Sequence, residues 1–532
     1  MSSIDETQTP EILSAIHDFE RETPRFAEHS LADLESHSMS MNKQEISVGQ
    51  GFRSLLDMVP PKETAYQLVQ AYLRTFQTVL GIIDVSSFRH SFEAFWMDSH
   101  SIKGEFIATM LLVMCIGSIF CQNDENVTHV TVLQWFHAIA QRLGNPTIED
   151  SNGLESTRIL ALFILARQVI SAKGDIAWLT PGVLIRKGMH IGLHLSTMRS
   201  PFADRSPSEI EGRRRLWGAI LELELQFSLD CGTAPVIDAS SFDHDIPLNV
   251  DDESLLFEDP PNPKPLTQMT QSSLQILLLQ MMPVRTKIVR FINSPEASSA
   301  ESATSLHSEF SEMMQSSKAL LDTYCMSTRP PTRFQTSLFT ILVRRSLLAL
   351  HNQTPDHPTL AYNQSRKILL QTALSMFDSS TSSRGDDFHQ LRLRSSGMFL
   401  NIFRESALSL CNELLHHPGH DPFFLSDDWC IAFRKDVHTA ISRYIELAEE
   451  RMKNGDTCFR VYILVFAFVA HDDAMLTESE VGPHIVQGLR NAVQRCSKLM
   501  SSRLQGHMEV KNGWLEFDPS IHNNDCDFSK WS

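Results

Sequence analysis

The 532-residue sequence holds only nine cysteines, and none of them forms the C-x2-C pair that is typical of small zinc-binding modules. The first is Cys115, and the total is odd. A disulfide framework needs an even number of cysteines at paired spacings, usually in a short secreted chain. The cysteine usage therefore argues against a disulfide-rich scaffold and predicts a reducing compartment.

Common catalytic signatures are also missing. The sequence contains no P-loop, no G-x-G-x-x-G, no G-x-S-x-G and no H-E-x-x-H. These patterns build a backbone cradle for phosphates, a turn that exposes a nucleophilic serine, or a pair of histidines on one helix face for zinc. We therefore predict that the chain is not an enzyme and uses no cofactor.

Positive charge and long apolar runs are scarce. Lys and Arg number 46 against 64 Asp and Glu, which gives a net charge of -18, and no run of five basic residues occurs. Such a balance repels the backbone of nucleic acid. The most apolar run, 106–121, has about 16 residues, whereas a membrane-spanning helix needs about 20. We expect no membrane segment.

What the sequence does contain is helical periodicity. A first apolar stripe of the kind found on core-facing helices begins after residue 61, with Leu68, Val69, Tyr72, Phe76 and Val79. Similar patterns predict helices over about 86–98, 105–121, 128–143, 156–171, 266–293, 302–325, 335–352, 360–377, 388–416, 429–454, 457–475 and 484–505. Strand-like alternation is nearly absent. We predict an all-α fold, a large multi-helix domain of packed antiparallel helices.

Polar composition sets the domain boundaries. Residues 1–55 include ten acids among Ser, Thr, Gln and His, a composition that predicts a disordered acidic tail. The helical domain is predicted over 56–505, followed by a polar tail over 506–532. Within the domain, the Pro- and Asp-rich stretch 243–265 predicts a crossing loop, and Pro283 should kink or split its helix.

One short pattern stands out in the acidic tail. Ile12, Ala15, Ile16 and Phe19 recur at helical spacing among acidic residues. This pattern is compatible with an acidic amphipathic interaction motif and with a stray helical turn. The sequence favours the second interpretation, because such compositional patterns are common in polar tails.

Two helices in the middle of the chain have marked beginnings. Thr180 precedes a proline, the arrangement of an N-cap before the first helical position. Ser206 and Pro207 repeat it, and Glu209 adds the acidic residue of a capping box. The second helix should therefore begin near Pro207 and end near Gly232.

The order and spacing of residues in this region form a composite motif. It consists of Gly182, Arg186, Gly192, Leu193, His194, Arg213, Arg214, Arg215, Leu216, Trp217, Glu224, Gly232, Pro235, Ile237, Asp238, Asp245, Pro247 and Asp252. The motif resembles the middle homology region, the regulatory domain, of fungal-specific transcription factors. The sequence departs from the family pattern at Gly218, where a second tryptophan is usual, at Leu225, where arginine is usual, and at Thr233 and Ala234, where Arg-Pro is usual.

This resemblance implies a nuclear regulator of transcription for a metabolic pathway or biosynthetic gene cluster. In the family, a six-cysteine zinc cluster binds DNA, and the middle region regulates it, sometimes through a small-molecule signal. No such cluster occurs in these residues. We expect that this chain alone binds no specific DNA and acts through a DNA-binding transcription factor or another regulatory protein, with a small-molecule effector as a further candidate partner. An upstream exon is the alternative explanation.

Charged and aromatic residues of the motif have predicted structural uses. On a helical wheel Arg213–Arg215 point in three directions, which favours packing and carboxylate pairs over one phosphate-binding face. Glu224 falls in an apolar arc and needs a partner, either Arg186 or backbone amides of a helix start. Trp217 is predicted as a core anchor, and the neighbouring Gly218 should let another helix approach closely.

Histidine groups provide the competing metal-site hypotheses. They are His416, His417 and His420 with Cys411 and Cys430, then His471 and Asp472 with His438 and Asp436, and last the i, i+4 pair His190 and His194. The second group supports an alternative function, an all-helical metal-dependent hydrolase. A helical protein-interaction scaffold is the third alternative. Helix termination, loops and a wetted polar stripe explain the same residues without metal.

Overall fold

The computed structural model describes residues 10–22, 34, 54–99, 102–121, 127–144, 153–170, 181–196, 206–238, 245–257, 261–294, 300–352, 360–378, 385–415, 427–457 and 459–510. The chain divides into two units. The central unit comprises residues 44–366 and 379–402, and the terminal unit comprises residues 1–43, 367–378 and 403–532. No β-strand occurs within the described ranges, so the prediction of an all-α fold is confirmed.

The described helices follow one another along the chain with short connections. They are α1 (Pro10–Glu22), α2 (Lys62–Arg74), α3 (Gln77–Leu80), α4 (Val85–Met97), α5 (Gly104–Gly117), α6 (His129–Gly144), α7 (Leu154–Val169), α8 (Pro181–His190), α9 (Pro207–Cys231), α10 (Ser254–Phe257), α11 (Ser273–Ile292), α12 (Ala300–Cys325), α13 (Arg333–His351), α14 (Leu360–Met376), α15 (Asp387–Arg394), α16 (Met398–Leu414), α17 (Asp427–Lys453), α18 (Arg460–Leu476) and α19 (Val481–Val510). Among them, we find none with the length and apolarity that crossing a bilayer requires.

Side-chain caps explain where several helices begin. Asp84 accepts a hydrogen bond from the backbone N–H of Ser87 at 3.0 Å and starts α4. Thr332 and Gln335 form a reciprocal capping box at the start of α13, with distances of 3.2 and 2.7 Å. Each bond satisfies a backbone N–H that has no partner within the helix. The local sequence therefore fixes these starts before any packing is considered.

In the central unit, α2 and α5 meet at backbone distance. A Cβ atom on Gly117 would lie 2.0 Å from the carbonyl oxygen of Leu68, so only glycine fits there. Phe76, which follows α2, contacts the rings of Phe120, Phe334 and Phe399 at centroid distances of 5.9, 5.6 and 5.3 Å. This aromatic cluster joins segments that are far apart in sequence.

In the terminal unit, α18 packs closely along α19. A Cβ atom on Gly488 would lie 2.7 Å from the Cβ of Ala470 and 3.3 Å from the carbonyl oxygen of Phe466. The small residues at this crossing allow the two helices to approach closely. Helix α1 packs mainly against α19 and also touches α18.

The predicted disorder of the N-terminal tail is wrong for residues 10–22. They form α1, in which Ile12, Ala15, Ile16 and Phe19 are 2 to 7% exposed. The overall composition of the tail predicted an open chain, but the apolar stripe within it finds a surface to pack on. Of the rest of the predicted tail, the structure describes only Leu34 and residues 54–55.

Two predicted helices are interrupted. The predicted helix over 388–416 divides into α15 and α16 at Gly397, whose φ of 51° lies in the left-handed region. Gln168 binds both sides of the break, because its carbonyl oxygen accepts from the Ser396 N–H at 2.9 Å and its side chain from the Met398 N–H at 3.1 Å. The helix after residue 61 ends at Arg74, since Thr75 has φ -110° and ψ -98°. By contrast, α11 continues past Pro283 without being split.

Candidate functional site

The site follows from helix α9, which begins and ends where the sequence predicts. The hydroxyl of Ser206 accepts a hydrogen bond from the Glu209 N–H at 3.3 Å, and Pro207 is the first helical residue. Gly232 ends the helix with φ 61°, and the next N–H bonds the carbonyl oxygen of Ser228 at 3.1 Å. Glycine adopts this left-handed conformation without strain.

A buried cluster of charges surrounds the first half of α9. Glu211, which is 1% exposed, receives Nε of Arg215 at 3.2 Å and lies 3.6 Å from Nη1 of Arg214. Arg214 also binds Asp245 at 3.0 Å, and Arg215 also binds Asp252. Two guanidinium groups thus meet three carboxylates, and the cluster has no excess of positive charge to attract a phosphate.

The same cluster holds the loop that follows α9. Both carboxylate oxygens of Glu211 accept the backbone N–H of Leu248, at 3.0 and 3.2 Å. Nη2 of Arg215 lies 3.5 Å from the carbonyl oxygen of Val250. Burial raises the pKa of Glu211, and the bonds from Arg215 and the Leu248 amide oppose this rise only in part. The cluster therefore acts as a clamp between helix and loop.

Arg213, the remaining arginine of the triplet, points toward a different neighbour. Its Nη2 donates to the carbonyl oxygen of Ile191 at 2.5 Å, just beyond the end of α8. The three arginines thus bind three different groups, which agrees with the divergence predicted from the wheel. Ser196 and Asp245 connect the two loops through a 3.1 Å hydrogen bond. The triplet holds α8 and two loops against one helix.

Asn249 is an organising residue that the sequence analysis missed. Its amide nitrogen donates to the carbonyl oxygens of Lys264, Pro265 and Gln268 at 3.2, 2.9 and 2.9 Å. Its amide oxygen accepts from the hydroxyl of Thr270 at 2.7 Å. One buried side chain therefore fixes the path of the predicted crossing loop into α11.

A second buried network, also missed, runs along the other half of α9. Arg285 and Glu222 form a bidentate pair at 2.9 and 2.7 Å, with side chains that are 0 and 3% exposed. Gln226 donates to Glu222 at 2.8 Å and accepts from Arg345 at 2.8 Å. Arg345 also binds Asp230. Charges on α9, α11 and α13 are thus linked through a single glutamine.

The expected burial of Glu224 is confirmed, but both predicted partners are wrong. Glu224 is 5% exposed, and one oxygen accepts from the backbone N–H of Val236 at 2.7 Å and from the hydroxyl of Ser228 at 3.2 Å. Arg186 lies exposed on α8 instead. The amide that binds Glu224 belongs to the loop after Gly232, because the left-handed turn brings that loop back along α9.

Trp217 is a core residue, as predicted. It is 0% exposed, and a Cβ on Gly188 would lie 3.0 Å from its ring, so α8 packs directly on the indole. On the other side of α9, a Cβ on Gly218 would lie 2.9 Å from Leu279 of α11. The glycine that replaces the usual second tryptophan therefore admits α11.

The remaining motif residues lie in the turns around these helices. Gly192, with φ 74°, ends α8, so His190 and His194 do not share a helix face as predicted. His194 lies 6.2 Å from the ring of Trp217 between centroids, and burial lowers its pKa. Pro235 and Pro247 are buried. Asp238 pairs with Arg290 at 2.8 Å.

The structure separates the residues of the hydrolase hypothesis. Asp472 is 0% exposed, and its carboxylate binds Arg434 and, at 2.7 Å, Nε2 of His438. His471 instead lies 3.7 Å from Glu11, and burial lowers its pKa. The guanidinium of Arg434 thus takes the position on Asp472 that a metal cation would need.

The other predicted metal group cannot be assessed in full. His416, His417 and His420 lie outside the described residues, and of their two companions Cys411 is buried in α16. Among the residues that the structure describes, no group of three or more His, Cys, Asp or Glu side chains is placed to hold a metal ion.

Together, the fold and the site define an all-helical domain whose central helix is clamped by internal arginine–carboxylate pairs. Comparison with known families supports this assignment, because residues 69–325, all within the central unit, match the fungal specific transcription factor domain. The central unit therefore carries this domain, and the resemblance inferred from the motif is confirmed.

Several curated fungal proteins are similar to this chain. "Transcription factor lepE" of Aspergillus flavus is 26% identical over 487 residues, which cover 88% of this chain and 58% of the relative. "Transcription factor asR3" of Sarocladium schorii is 25% identical over 86% of this chain and 58% of the relative. "Aspyridones cluster regulator apdR" of Emericella nidulans is 26% identical over 78% and 58%. The chain thus spans somewhat more than half the length of these relatives.

Proposed function

We propose that this chain regulates transcription in the nucleus and controls the genes of a metabolic pathway or biosynthetic gene cluster. The domain match over residues 69–325 supports a regulatory role, and one relative is named a cluster regulator. We assign the chain no catalytic activity. Its proposed partners are a DNA-binding transcription factor or another regulatory protein, with a small-molecule effector as a further candidate.

The observation that carries this proposal is the internal use of the motif arginines. Arg214 and Arg215 bind carboxylates of Glu211, Asp245 and Asp252, and Arg213 binds a backbone carbonyl. Specific DNA readers instead direct several cations along one face toward phosphates and bases. A domain whose densest basic cluster is neutralised internally suits regulation through protein contacts.

The DNA-binding part of the proposal is tested on the purified full chain. We expect no sequence-selective binding to pooled promoter fragments at about 150 mM salt in the presence of unlabelled competitor DNA. The net charge of -18 supports this expectation. Selective binding tighter than roughly 10⁻⁷ M would contradict it, since non-specific binding is usually weaker.

The regulatory part is tested in a fungal reporter strain. The full chain is fused to an unrelated DNA-binding domain whose sites precede a reporter gene, and reporter output is compared with that of the DNA-binding domain alone. We expect output to change with the wild-type fusion and not with a fusion carrying Gly117→Ala, which should disrupt the central unit. Equal output from all three, at equal protein levels, would contradict a regulatory role.

A further inference from the structure

Helix α1 is an amphipathic segment seated on the terminal unit. Its apolar side chains Ile12, Ala15, Ile16 and Phe19 are 2 to 7% exposed, whereas its opposite face, including Ser14, is exposed. Positions i, i+3, i+4 and i+7 form one stripe along a helix. Helices that bind in the groove of another protein use this same set of anchors.

The surface beneath α1 has the opposite charge. Between residues 481 and 500, α19 contains Arg490, Arg495 and Lys498 and no acidic residue, whereas α1 contains Glu11, Asp18, Glu20 and Glu22 with one arginine. Charge complementarity of this kind favours association with acidic helices over basic ones.

The helix does not fill its seat. A cleft of about 780 Å³ lies between α1 and α19, lined by Glu11 and Asp18 of the first helix and by Val486 and Arg490 of the second. A tightly filled contact would leave no such space, since protein interiors are close-packed. A helix with bulkier side chains could bury more surface on the same groove.

The connection of α1 to the rest of the chain is short and local. Leu34, which is buried, is the next described residue after Glu22, so residues 23–33 connect α1 to an anchored position. A tether of this length gives an effective concentration in the millimolar range. Even a weakly binding α1 would therefore occupy the groove until a tighter competitor arrives.

We propose that this surface of α19 and α18, the α1 groove, is a docking site for an acidic amphipathic helix of a partner protein. Helix α1 is its built-in occupant, and the partner helix displaces it. The partner presents apolar residues at i, i+3, i+4 and i+7 with acidic residues beside them. The inference rests on the terminal unit alone and does not depend on the proposed role in transcription.

The test uses the full chain and a fluorescent peptide of residues 8–24. In the double variant Ile12→Asp/Phe19→Asp, the built-in helix is weakened, and we expect the peptide to bind at least ten times more tightly than to wild type. The control variant Ser14→Asp/His17→Asp places the same two acids on the exposed face and should behave as wild type. A peptide carrying Ile12→Asp/Phe19→Asp should not bind, and one with its acids replaced by amides should bind more weakly.

A second arm leaves the buried side chains unchanged. A protease site is introduced within residues 23–33, and the full chain is cleaved there after folding. We expect the labelled peptide to exchange with the cleaved N-terminal fragment while the thermal transition of the remainder is retained. Failure of the peptide to bind either protein, or unfolding of the cleaved chain when the fragment leaves, would overturn the proposal, because α1 would then be an ordinary core helix.

Discussion

Removing one partner of the buried pair Arg285–Glu222 should strongly destabilise the central unit. Arg285 is fully buried and makes three hydrogen bonds, two to Glu222 at 2.9 and 2.7 Å and one to the carbonyl oxygen of Leu278 at 2.8 Å. In Arg285→Met, the carboxylate of Glu222 stays buried and keeps only its bond from Gln226. We expect a loss of about 3 to 5 kcal/mol in the free energy of unfolding, the usual cost of an uncompensated buried charge.

Removing both partners should cost much less. In the double variant Glu222→Leu/Arg285→Met no buried charge is left, and apolar side chains replace the pair. Gln226 still donates to the carbonyl oxygen of Leu342 at 2.9 Å and accepts from Arg345 at 2.8 Å. Well-packed apolar replacements of buried ion pairs are often neutral or stabilising. We therefore expect the double variant to lie within about 1 kcal/mol of wild type.

The same helix offers a matched control. Lys287 of α11 pairs with Glu309 at 2.7 Å, but these side chains are 57 and 40% exposed. Exposed pairs contribute about 0 to 1 kcal/mol, so Lys287→Met should cost no more than that. Urea denaturation followed by fluorescence and circular dichroism measures all four proteins, with coincident transitions as the test of two-state behaviour. If Arg285→Met cost no more than Lys287→Met, the reasoning from burial would be refuted.

Two further substitutions have defined outcomes. Gly117→Ala should destabilise the central unit by at least about 3 kcal/mol, because its Cβ would meet the Leu68 carbonyl oxygen at 2.0 Å, whereas Gly482→Ala, with nothing within 4 Å, should change stability by less than about 1 kcal/mol; similar melting temperatures would contradict this. In Glu224→Gln, the amide oxygen can still accept from Val236. Since burial raises the pKa of Glu224, wild type loses stability as pH rises above 4.5, and the variant should gain on it there; a parallel pH dependence in denaturation would contradict that sign.

The ends of the central helix could be predicted because their causes are local. Ser206 and Pro207 start α9 and Gly232 ends it, and the structure places the boundaries there. The apolar arc of α9 likewise identified Glu224 as buried. Caps and periodicity act within a few residues, so a single sequence carries the whole signal.

The partners of the buried charges could not be predicted in the same way. Glu222 and Arg285 are 63 residues apart, and Asn249 binds carbonyls 15 to 19 residues away in an irregular loop. Neither relation follows a helical period. Pairing of this kind depends on how helices cross, which the pattern of one helix does not specify.

One overlooked signal did exist within α9. Between Leu216 and Leu225 the apolar residues face every direction of the wheel, and each position in this stretch is buried. A helix that is apolar all round lies in the interior, and any charge on it must then be paired. This argument applies to Glu222 as much as to Glu224, although only Glu224 falls in the arc that drew attention.

The motif that carries the family resemblance thus serves to hold the domain together. Arg213–Arg215 fix α8 and two loops, Trp217 is packed by Gly188, and Glu224 ties back the turn after Gly232. Substitutions at these positions remove buried bonds or packing, so a loss of regulation that follows them reports on stability first. Contacts that select a partner must therefore be sought on exposed surfaces, where a substitution can change binding while the fold is kept.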